Sequence, residues 1–296
     1  MRHLVLVGPT ASGKSSLALD VAERHGLEIV SMDSMQVYRG MDIGTAKPTE
    51  DEQRRVRHHL LDVVDPDDEW TVADHQRRVL DLLDGASRPL LLVGGTGLYV
   101  RAVIDRFEIP GEYPEVVAEL DRQPDTRSLH ARLTGLDPVA ATRIEPGNRR
   151  RIVRALEVTI GSGRPFSEHG GRFDEHPPRP DLELVLLAPP RPVIDRRIAE
   201  RYAVQMERGF LDEVRRLLPS LGRTAGQALG YRELAVHLRG EATLEDALDE
   251  AIRRTRRFAR RQERWFRRDP RWVRLSYDDH PSEVERRIAE VAVSLL

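Results

Sequence analysis

Short apolar runs and longer amphipathic stretches alternate over the first third of the chain. The runs that predict strands are LVLVG, EIVSMD, HLLDVVD and PLLLVGG, each bounded by Gly, Pro or Asp. Between them, SSLALDVAERHG and TVADHQRRVLDLLDG place apolar residues at helical spacing and end in Gly. This alternation predicts an α/β fold, in which a parallel sheet is flanked by helices.

The pattern changes after Ile109-Pro110-Gly111. Amphipathic helices without a strand are predicted from Pro114 to Ser162, and the Gly/Pro/His-rich stretch 161–180 predicts a long loop. Strand character then returns in LELVLLAPP. A helical insertion or lid over 112–182 is therefore expected within one α/β core.

That core is predicted to comprise residues 1–111 and 183–296. Its second part is expected to be largely helical and to contain a long helix from Thr243 through Phe266. Thr243 and Asp246 have the spacing of a capping box at the start of this helix.

The segment Gly8–Ser15 reads GPTASGKS and fits the phosphate-loop pattern G-x-x-x-x-G-K-[ST] between a predicted strand and helix. Its glycines let backbone N–H groups converge on phosphate oxygens, and the following helix adds the positive end of its dipole. Lys14 is expected to contact the terminal phosphoryl oxygens, and Ser15 to complete a Mg²⁺ shell. The predicted diphosphate-binding residues of this loop are Gly8, Pro9, Thr10, Ala11, Ser12, Gly13, Lys14 and Ser15.

A nucleotide triphosphatase also needs a carboxylate at the end of another strand to hold its metal. The run Leu90–Val93 leads into Gly94-Gly95-Thr96-Gly97 and offers no acid. The remaining candidates are Asp33, Asp62 and Asp65. The residues thus favour a P-loop kinase or transferase over a motor and leave the transferred group open.

Composition narrows the setting. The chain has no cysteine, so neither a disulfide framework nor a cysteine zinc site is expected. No apolar stretch approaches the roughly 20 residues of a membrane span. The N-terminal residues predict a strand rather than a signal peptide. We therefore expect a cytoplasmic protein with no zinc and no membrane association.

Basic residues are distributed unevenly. Only Lys14 and Lys47 among the 47 basic residues are lysines, and both lie in glycine-containing motifs. A compact ammonium and a planar guanidinium are not interchangeable where space beside a phosphate is tight. From Arg253 to Arg274, eleven arginines face only two acids, Glu263 and Asp269. That run is a candidate polyanion surface, although a solvated face with salt bridges is the alternative.

The run Ser31–Pro48 reads SMDSMQVYRGMDIGTAKP. Together with the phosphate loop it closely resembles the tRNA dimethylallyltransferases, also called tRNA isopentenyltransferases. Further matching blocks follow in family order at 59–62 (HLLD), 94–99 (GGTGLY), 151–157 (RIVRALE), 230–233 (GYRE) and 255–262 (TRRFARRQ). The chain departs from the family at Asn148, often Asp there, and in Arg201–Met206, which is one residue longer than usual.

The resemblance implies a P-loop core with a helical insertion and transfer of a dimethylallyl group from dimethylallyl diphosphate. The acceptor is the exocyclic amine of the adenosine just 3′ of the anticodon, in tRNAs that read codons beginning with U. The implied partners are the tRNA anticodon stem-loop and dimethylallyl diphosphate, with Mg²⁺ as cofactor and a monomeric protein. The phosphate loop would then hold a diphosphate leaving group.

Residue roles follow from the same resemblance and agree with the chemistry of the residues. Asp33, at a strand end beside the loop, is expected to act as the base, with Lys14 and Thr96 as further catalytic residues. The Arg256/Arg260 region is expected to supply an arginine to the diphosphate. The predicted tRNA-binding residues are Asp33, Ser34, Met35, Gln36, Thr96, Arg150, Arg151, Ile152, Val153 and Arg154.

Other interpretations stay open at this point. The chain could be an ATP-dependent kinase, an enzyme that prenylates free AMP, or a non-catalytic tRNA- or nucleotide-binding module, and ATP could bind in the same loop. Asp33 could be a turn or N-cap residue, and Thr96 part of a plain tight turn. Trp265 and Phe266 could stack bases or pack in the core.

Overall fold

The computed structural model describes residues 1–169 and 180–276, together with Arg286, Ile288 and Glu290. The strands are His3–Val7 (β1), Glu28–Ser31 (β2), His58–His59 (β3), Leu90–Gly94 (β4), Leu182–Leu187 (β5) and Val273–Leu275 (β6). The helices are Lys14–His25 (α1), Glu50–Arg55 (α2), Val72–Asp84 (α3), Gly97–Ile104 (α4), Pro114–Asp121 (α5), Thr126–Leu136 (α6), Pro138–Arg143 (α7), Arg149–Ser162 (α8), Arg191–Glu207 (α9), Phe210–Leu217 (α10), Tyr231–Leu238 (α11) and Leu244–Arg267 (α12).

The strands form one parallel sheet in the order β3-β2-β4-β1-β5-β6. The residues of β1 and β4 are buried throughout, as expected for strands covered by helices on both faces. The predicted parallel α/β fold is confirmed. Because the carboxyl ends of β1, β2 and β4 meet at one edge, the segments that follow these strands are brought together.

Two details of the predicted sheet were wrong. Of the run HLLDVVD, only His59 lies in a strand, the two-residue β3, because Leu60 and Asp62 have positive φ angles of 62° and 53° that break extended pairing. Strand β6 lies in a region predicted to be largely helical. It is three residues long and pairs with β5. Three residues are too few for an alternating apolar pattern to predict a strand from the sequence.

The chain divides into two compact units. The first comprises Met1–Ile104 and Pro178–Leu296 and contains the sheet, and the second comprises Asp105–Pro177. The second unit is built from α5 to α8 around buried residues that include Leu120, Leu133 and Ile152. Its role as a lid stays a prediction. Most of the predicted loop 161–180, namely residues 170–179, lies outside the described residues.

The predicted long helix is confirmed as α12. Thr243 caps it, since its hydroxyl accepts a hydrogen bond from the Asp246 N–H at 3.1 Å. The buried positions recur every three or four residues and are Ala247, Ala251, Thr255, Ala259, Gln262 and Phe266. Phe266 is buried and packs edge-to-face on Trp272, so it belongs to the core and does not stack bases. No helix among the described residues is long and apolar enough to cross a membrane.

Candidate active site

The phosphate loop connects the end of β1 to the start of α1. Gly13 adopts a left-handed conformation with φ 83°, and the Ser12 N–H donates to the Pro9 carbonyl at 3.2 Å. A Cβ on Gly8 would lie 2.9 Å from the Leu187 carbonyl oxygen, so the tight approach to β5 requires glycine. The strand, loop and helix therefore form the arrangement that binds phosphates in P-loop proteins.

A cavity of about 240 Å³ opens at this loop. It is lined by the loop, the segment after β2, the end of β4 and one residue of α9. The lining includes Thr10, Gly13, Lys14, Ser15, Asp33, Gln36, Thr45, Ala46, Gly94 and Arg201. The fold thus brings the phosphate loop and the predicted base to one cavity.

Lys14 lies inside the cavity, with its Nζ 3.5 Å from the Pro9 carbonyl oxygen. Burial lowers the pKa of this ammonium from 10.5 to about 8, against the raising effect of Asp33, and Arg201 lowers it further. A cation whose charge is disfavoured by burial and by a second cation gains strongly from an anion placed between them. The electrostatics of the cavity therefore favour a phosphate-bearing ligand.

Arg201, on α9, supplies that second cation. Its Nη1 donates to the Thr10 hydroxyl at 2.7 Å, and its Nε is buried without a hydrogen-bond partner among the described residues. Burial also lowers the pKa of this guanidinium, while Tyr202 and Asp33 raise it. An incompletely bonded buried guanidinium at a phosphate loop is suited to diphosphate oxygens.

The predicted diphosphate arginines lie elsewhere. Neither Arg256 nor Arg260 lines the cavity. Arg256 donates from Nη2 to the Asp195 carbonyl at 3.1 Å, and Arg260 is exposed on α12. The structure places Arg201 at the phosphate loop in their stead, inside the segment where the chain departs from the family pattern.

Asp33 follows β2 and combines both roles considered for it. Its Oδ1 accepts a hydrogen bond from the Met35 N–H at 2.8 Å, which makes it a turn residue, and it also lines the cavity. The Ser34 N–H lies 3.4 Å from the Thr96 hydroxyl. The segment after β2 and the turn after β4 are therefore in contact, which brings the predicted catalytic residues Asp33 and Thr96 to the same side of the site.

Gln36 supports one wall of the cavity. Its Oε1 accepts from the Ser31 hydroxyl at 2.9 Å, and its Nε2 donates to the Ala46 carbonyl at 3.2 Å. The side chain thus fixes the end of the segment 31–48 against β2. The polar atoms of Gln36 therefore form hydrogen bonds within the protein. The sequence pattern does not predict these hydrogen bonds.

Two buried charged residues, Glu213 and Lys47, hold the segment 31–48 in place through hydrogen bonds and ion pairs. The Glu213 carboxylate accepts hydrogen bonds from the Asp42, Ile43 and Gly44 N–H groups at 2.8 to 3.1 Å. The Lys47 ammonium donates to the Tyr38 carbonyl at 2.8 Å and to the Asp42 and Asp62 carboxylates at 2.6 Å each. All three donors of the ammonium are used, which explains a lysine at this position of an arginine-rich protein.

Replacing Lys47 with Met should destabilise the protein by about 3 kcal/mol. Breaking a buried ion pair costs about 3–5 kcal/mol, and the loss here lies at the lower end because Asp42 and Asp62 are partly exposed. Urea denaturation measures the change. Lys47→Arg should not restore stability, since a planar fork cannot reach the three acceptors. The exposed pair of Arg77 and Asp74 is the control, and Arg77→Gln should cost less than about 1 kcal/mol.

Comparison with known proteins assigns the chain to a family. The family model described as IPP transferase matches residues 36–269. The chain belongs to the IPP transferase family. It is 47% identical to the tRNA dimethylallyltransferase of a Nocardioides species, covering 99% of this chain and 96% of that protein. It is 49% identical to the tRNA dimethylallyltransferase of Thermobifida fusca, covering 97% and 93%.

A solved structure agrees with this assignment to the IPP transferases. The crystal structure of the full-length tRNA isopentenylpyrophosphate transferase from Bacillus halodurans matches with a TM-score of 0.73 and 36% identity. The match covers 99% of this chain and 96% of that protein. The resemblance read from the motifs is confirmed, and it extends over both compact units.

The cavity of this IPP transferase fits a magnesium ion held largely by phosphate oxygens. Ser15 and Asp33 both line it, while no cluster of three or more His, Asp or Glu side chains suited to a metal occurs in the described part of the chain. Magnesium in phosphate sites keeps several waters and takes only one or two carboxylates from the protein. The Ser15 hydroxyl of the phosphate loop is the protein group that would contact such an ion.

The arginines of α12 fall into two groups. Those near its middle are paired with acids: Arg253 and Arg257 share Glu250, Arg254 pairs with Glu233, and Arg256 pairs with Asp195. Five others, in the last turns of α12 and at its C-cap, form no ion pair with any described carboxylate, and we call them the open arginine face: Arg260, Arg261, Arg264, Arg267 and Arg268. Burial and the neighbouring arginines lower the pKa of Arg261, so this face lacks compensating negative charge.

The predicted tRNA-binding helix is α8, capped by Asn148, whose Oδ1 accepts from the Arg151 N–H. Arg150 and Arg151 are exposed. Ile152 is fully buried in the core of the second unit, so its side chain packs inside this unit and is not on the exposed side of α8. Arg154 pairs with Glu157 at 2.9 Å and donates to the Pro110 and Gly111 carbonyls, so it stabilises this unit.

Proposed function

We propose that this chain transfers a dimethylallyl group from dimethylallyl diphosphate to the exocyclic amine of the adenosine just 3′ of the anticodon, in tRNAs reading codons that begin with U. It acts in the cytoplasm, as a monomer and with Mg²⁺. One observation carries the proposal: the cations Lys14 and Arg201 and the carboxylate Asp33 line a single cavity at a phosphate loop. The tRNA dimethylallyltransferases among its relatives support the substrate pair.

The positive side of the cavity serves the leaving group. As the amine nitrogen bonds to the allylic carbon, the bond from that carbon to the diphosphate oxygen breaks and leaves its electron pair on the diphosphate. Preorganised positive charge aimed at those oxygens lowers the barrier. Lys14, the N–H groups of the phosphate loop and Arg201 supply that charge. Mg²⁺ would be held by the Ser15 hydroxyl, and it would neutralise further charge on the diphosphate.

Asp33 serves the acceptor. The amine must lose a proton when its nitrogen forms the new bond, and a carboxylate beside the phosphate loop is in position to accept it. The hydrogen bond from the Met35 N–H orients the Asp33 carboxylate. Thr96 contacts the Ser34 N–H and holds the next residue of the same segment. The adenosine is stacked in a folded tRNA loop, so it must be extracted before it can enter this cavity.

Incubation with labelled dimethylallyl diphosphate and either tRNA or AMP tests the proposal. Label should enter tRNA in the presence of Mg²⁺, with little turnover of ATP. Label in AMP alone would assign the chain to small-molecule prenylation. ATP-dependent phosphorylation or robust ATP hydrolysis without prenylated tRNA would make it a kinase or an NTPase, and binding of tRNA without transfer would make it a non-catalytic module.

The open arginine face is the part of α12 that we propose to contact tRNA phosphates. The affinity for tRNA should therefore fall steeply with salt, and each lost contact should reduce the magnitude of the slope of log affinity against log salt by about 0.7 to 0.9. Replacing Arg260 and Arg264 with Gln should make the slope less steep. The matched change at Arg253 and Arg257, which already share Glu250, should leave it nearly unchanged. Equal slopes for the two double variants would contradict the proposal that the open arginine face contacts tRNA phosphates.

A further inference from the structure

Gln262 lies on the buried side of α12, directly beneath two glycine-containing turns. Its Oε1 accepts a hydrogen bond from the Thr10 N–H of the phosphate loop at 2.9 Å. Its Nε2 donates to the Gly95 carbonyl, in the turn after β4, at 2.8 Å. The side chain is 6% exposed. One carboxamide therefore joins two turns that are far apart in the sequence.

The backbone of the turn after β4 is shaped for this contact. A Cβ on Gly95 would lie 2.5 Å from the Gln262 Nε2 and 2.9 Å from the Gly8 carbonyl oxygen. Neither distance is tolerated by a side chain, so only glycine allows the phosphate loop, the turn and α12 to meet. The turn is not simply a tight bend, because its glycine is needed for contact with two other elements.

Each of the two turns also contacts a residue with a different role in the proposed reaction. Thr10 also receives the hydrogen bond from Arg201, so the Gln262 Oε1 fixes the residue that orients a diphosphate-binding cation. Gly95 precedes Thr96, whose hydroxyl contacts the Ser34 N–H next to the base Asp33. The two polar atoms of Gln262 thus act on the leaving-group side and on the acceptor side respectively.

We propose that Gln262 is a positioning residue for prenyl transfer, which holds the phosphate loop and the turn Gly94–Gly97 in register so that diphosphate and acceptor amine meet in line. This inference rests on the proposed function. Displacing reacting groups by about 1 Å can cost on the order of 10²-fold in rate. A carboxamide suits the task because it offers an acceptor oxygen and a donor NH₂ group in one fixed plane.

Gln262→Met tests the role by removing both hydrogen bonds at nearly the same volume. The single-turnover rate of transfer should fall by about 10- to 100-fold, with KM for tRNA and for dimethylallyl diphosphate changed by less than about threefold. Thr255→Val is the matched control, because it deletes a buried hydrogen bond of α12, to the Tyr202 hydroxyl, that involves neither turn. It should lower the melting temperature and leave the rate unchanged.

Gln262→Glu provides a second test, a dependence of the transfer rate on pH that a change in packing alone does not produce. An ionised carboxylate presents an acceptor to the Gly95 carbonyl, whereas a protonated carboxyl has the same donor and acceptor arrangement as the carboxamide. The rate of this variant relative to wild type should therefore rise as the pH falls.

Three outcomes would count against the positioning role. It is overturned if Gln262→Met transfers at the wild-type rate, or if the relative rate of Gln262→Glu does not rise as the pH falls. A wild-type protein that transfers no prenyl group to tRNA would overturn the proposed function together with it.

Discussion

Lys14→Ala should lower the rate of prenyl transfer by about 10² to 10³-fold, the typical cost of one lost charge contact in a transition state. The structure places the ammonium in the cavity, where burial lowers its pKa to about 8. Since charge develops on the diphosphate only as the allylic bond breaks, the loss should appear mainly in the single-turnover rate. Binding of tRNA should change little.

The pKa of Lys14 adds a pH signature. The ammonium is charged below about pH 8 and neutral above it, so kcat/KM of the wild type should fall as the pH rises through about 8. This alkaline limb should be absent in Lys14→Ala, which has no charge to lose. Lys14→Arg should stay charged across the same range but recover only part of the rate, because the larger planar group must fit within the loop. A fully active Arg variant would contradict the interpretation of the lysine at this position.

Short sequence patterns predicted the parts of the site that are formed by residues close together in the sequence. The phosphate loop is one continuous pattern, and Asp33 is recognisable because it follows the strand β2 with one residue between them. Parallel strands place both at the same edge of the sheet, so their meeting followed from the fold class. The sequence pattern was therefore sufficient to predict the site residues that lie close to the end of a strand.

The other site residues depend on contacts over long sequence separations. Arg201 meets Thr10 across 191 residues and Gln262 meets Thr10 across 252. Nothing local distinguishes Arg201 from the other arginines of α9, and the diphosphate arginine was expected in the Arg256/Arg260 region instead. Glu213 is equally unmarked, since a buried acid that binds three backbone N–H groups looks in the sequence like any helical glutamate. Only tertiary structure separates such residues from their neighbours.

Asp33→Asn separates chemistry from recognition and should have the largest effect. The change keeps the size of the side chain and an oxygen that can accept the hydrogen bond from the Met35 N–H, but it removes the basicity. If Asp33 accepts the proton of the amine, the chemical step should slow by about 10² to 10⁴-fold. The affinity for tRNA should fall far less, because we propose that arginines outside the cavity contribute most of it.

A matched variant next to Asp33 gives an independent check. Ser34→Ala keeps its own backbone N–H, which contacts the Thr96 hydroxyl, so its single-turnover rate at saturating tRNA should stay close to that of the wild type. An Asn variant that turns over near the wild-type rate while tRNA binding collapses would make Asp33 a recognition residue. The proton would then leave through water or the diphosphate, and the carboxylate in the cavity would serve to select the adenosine.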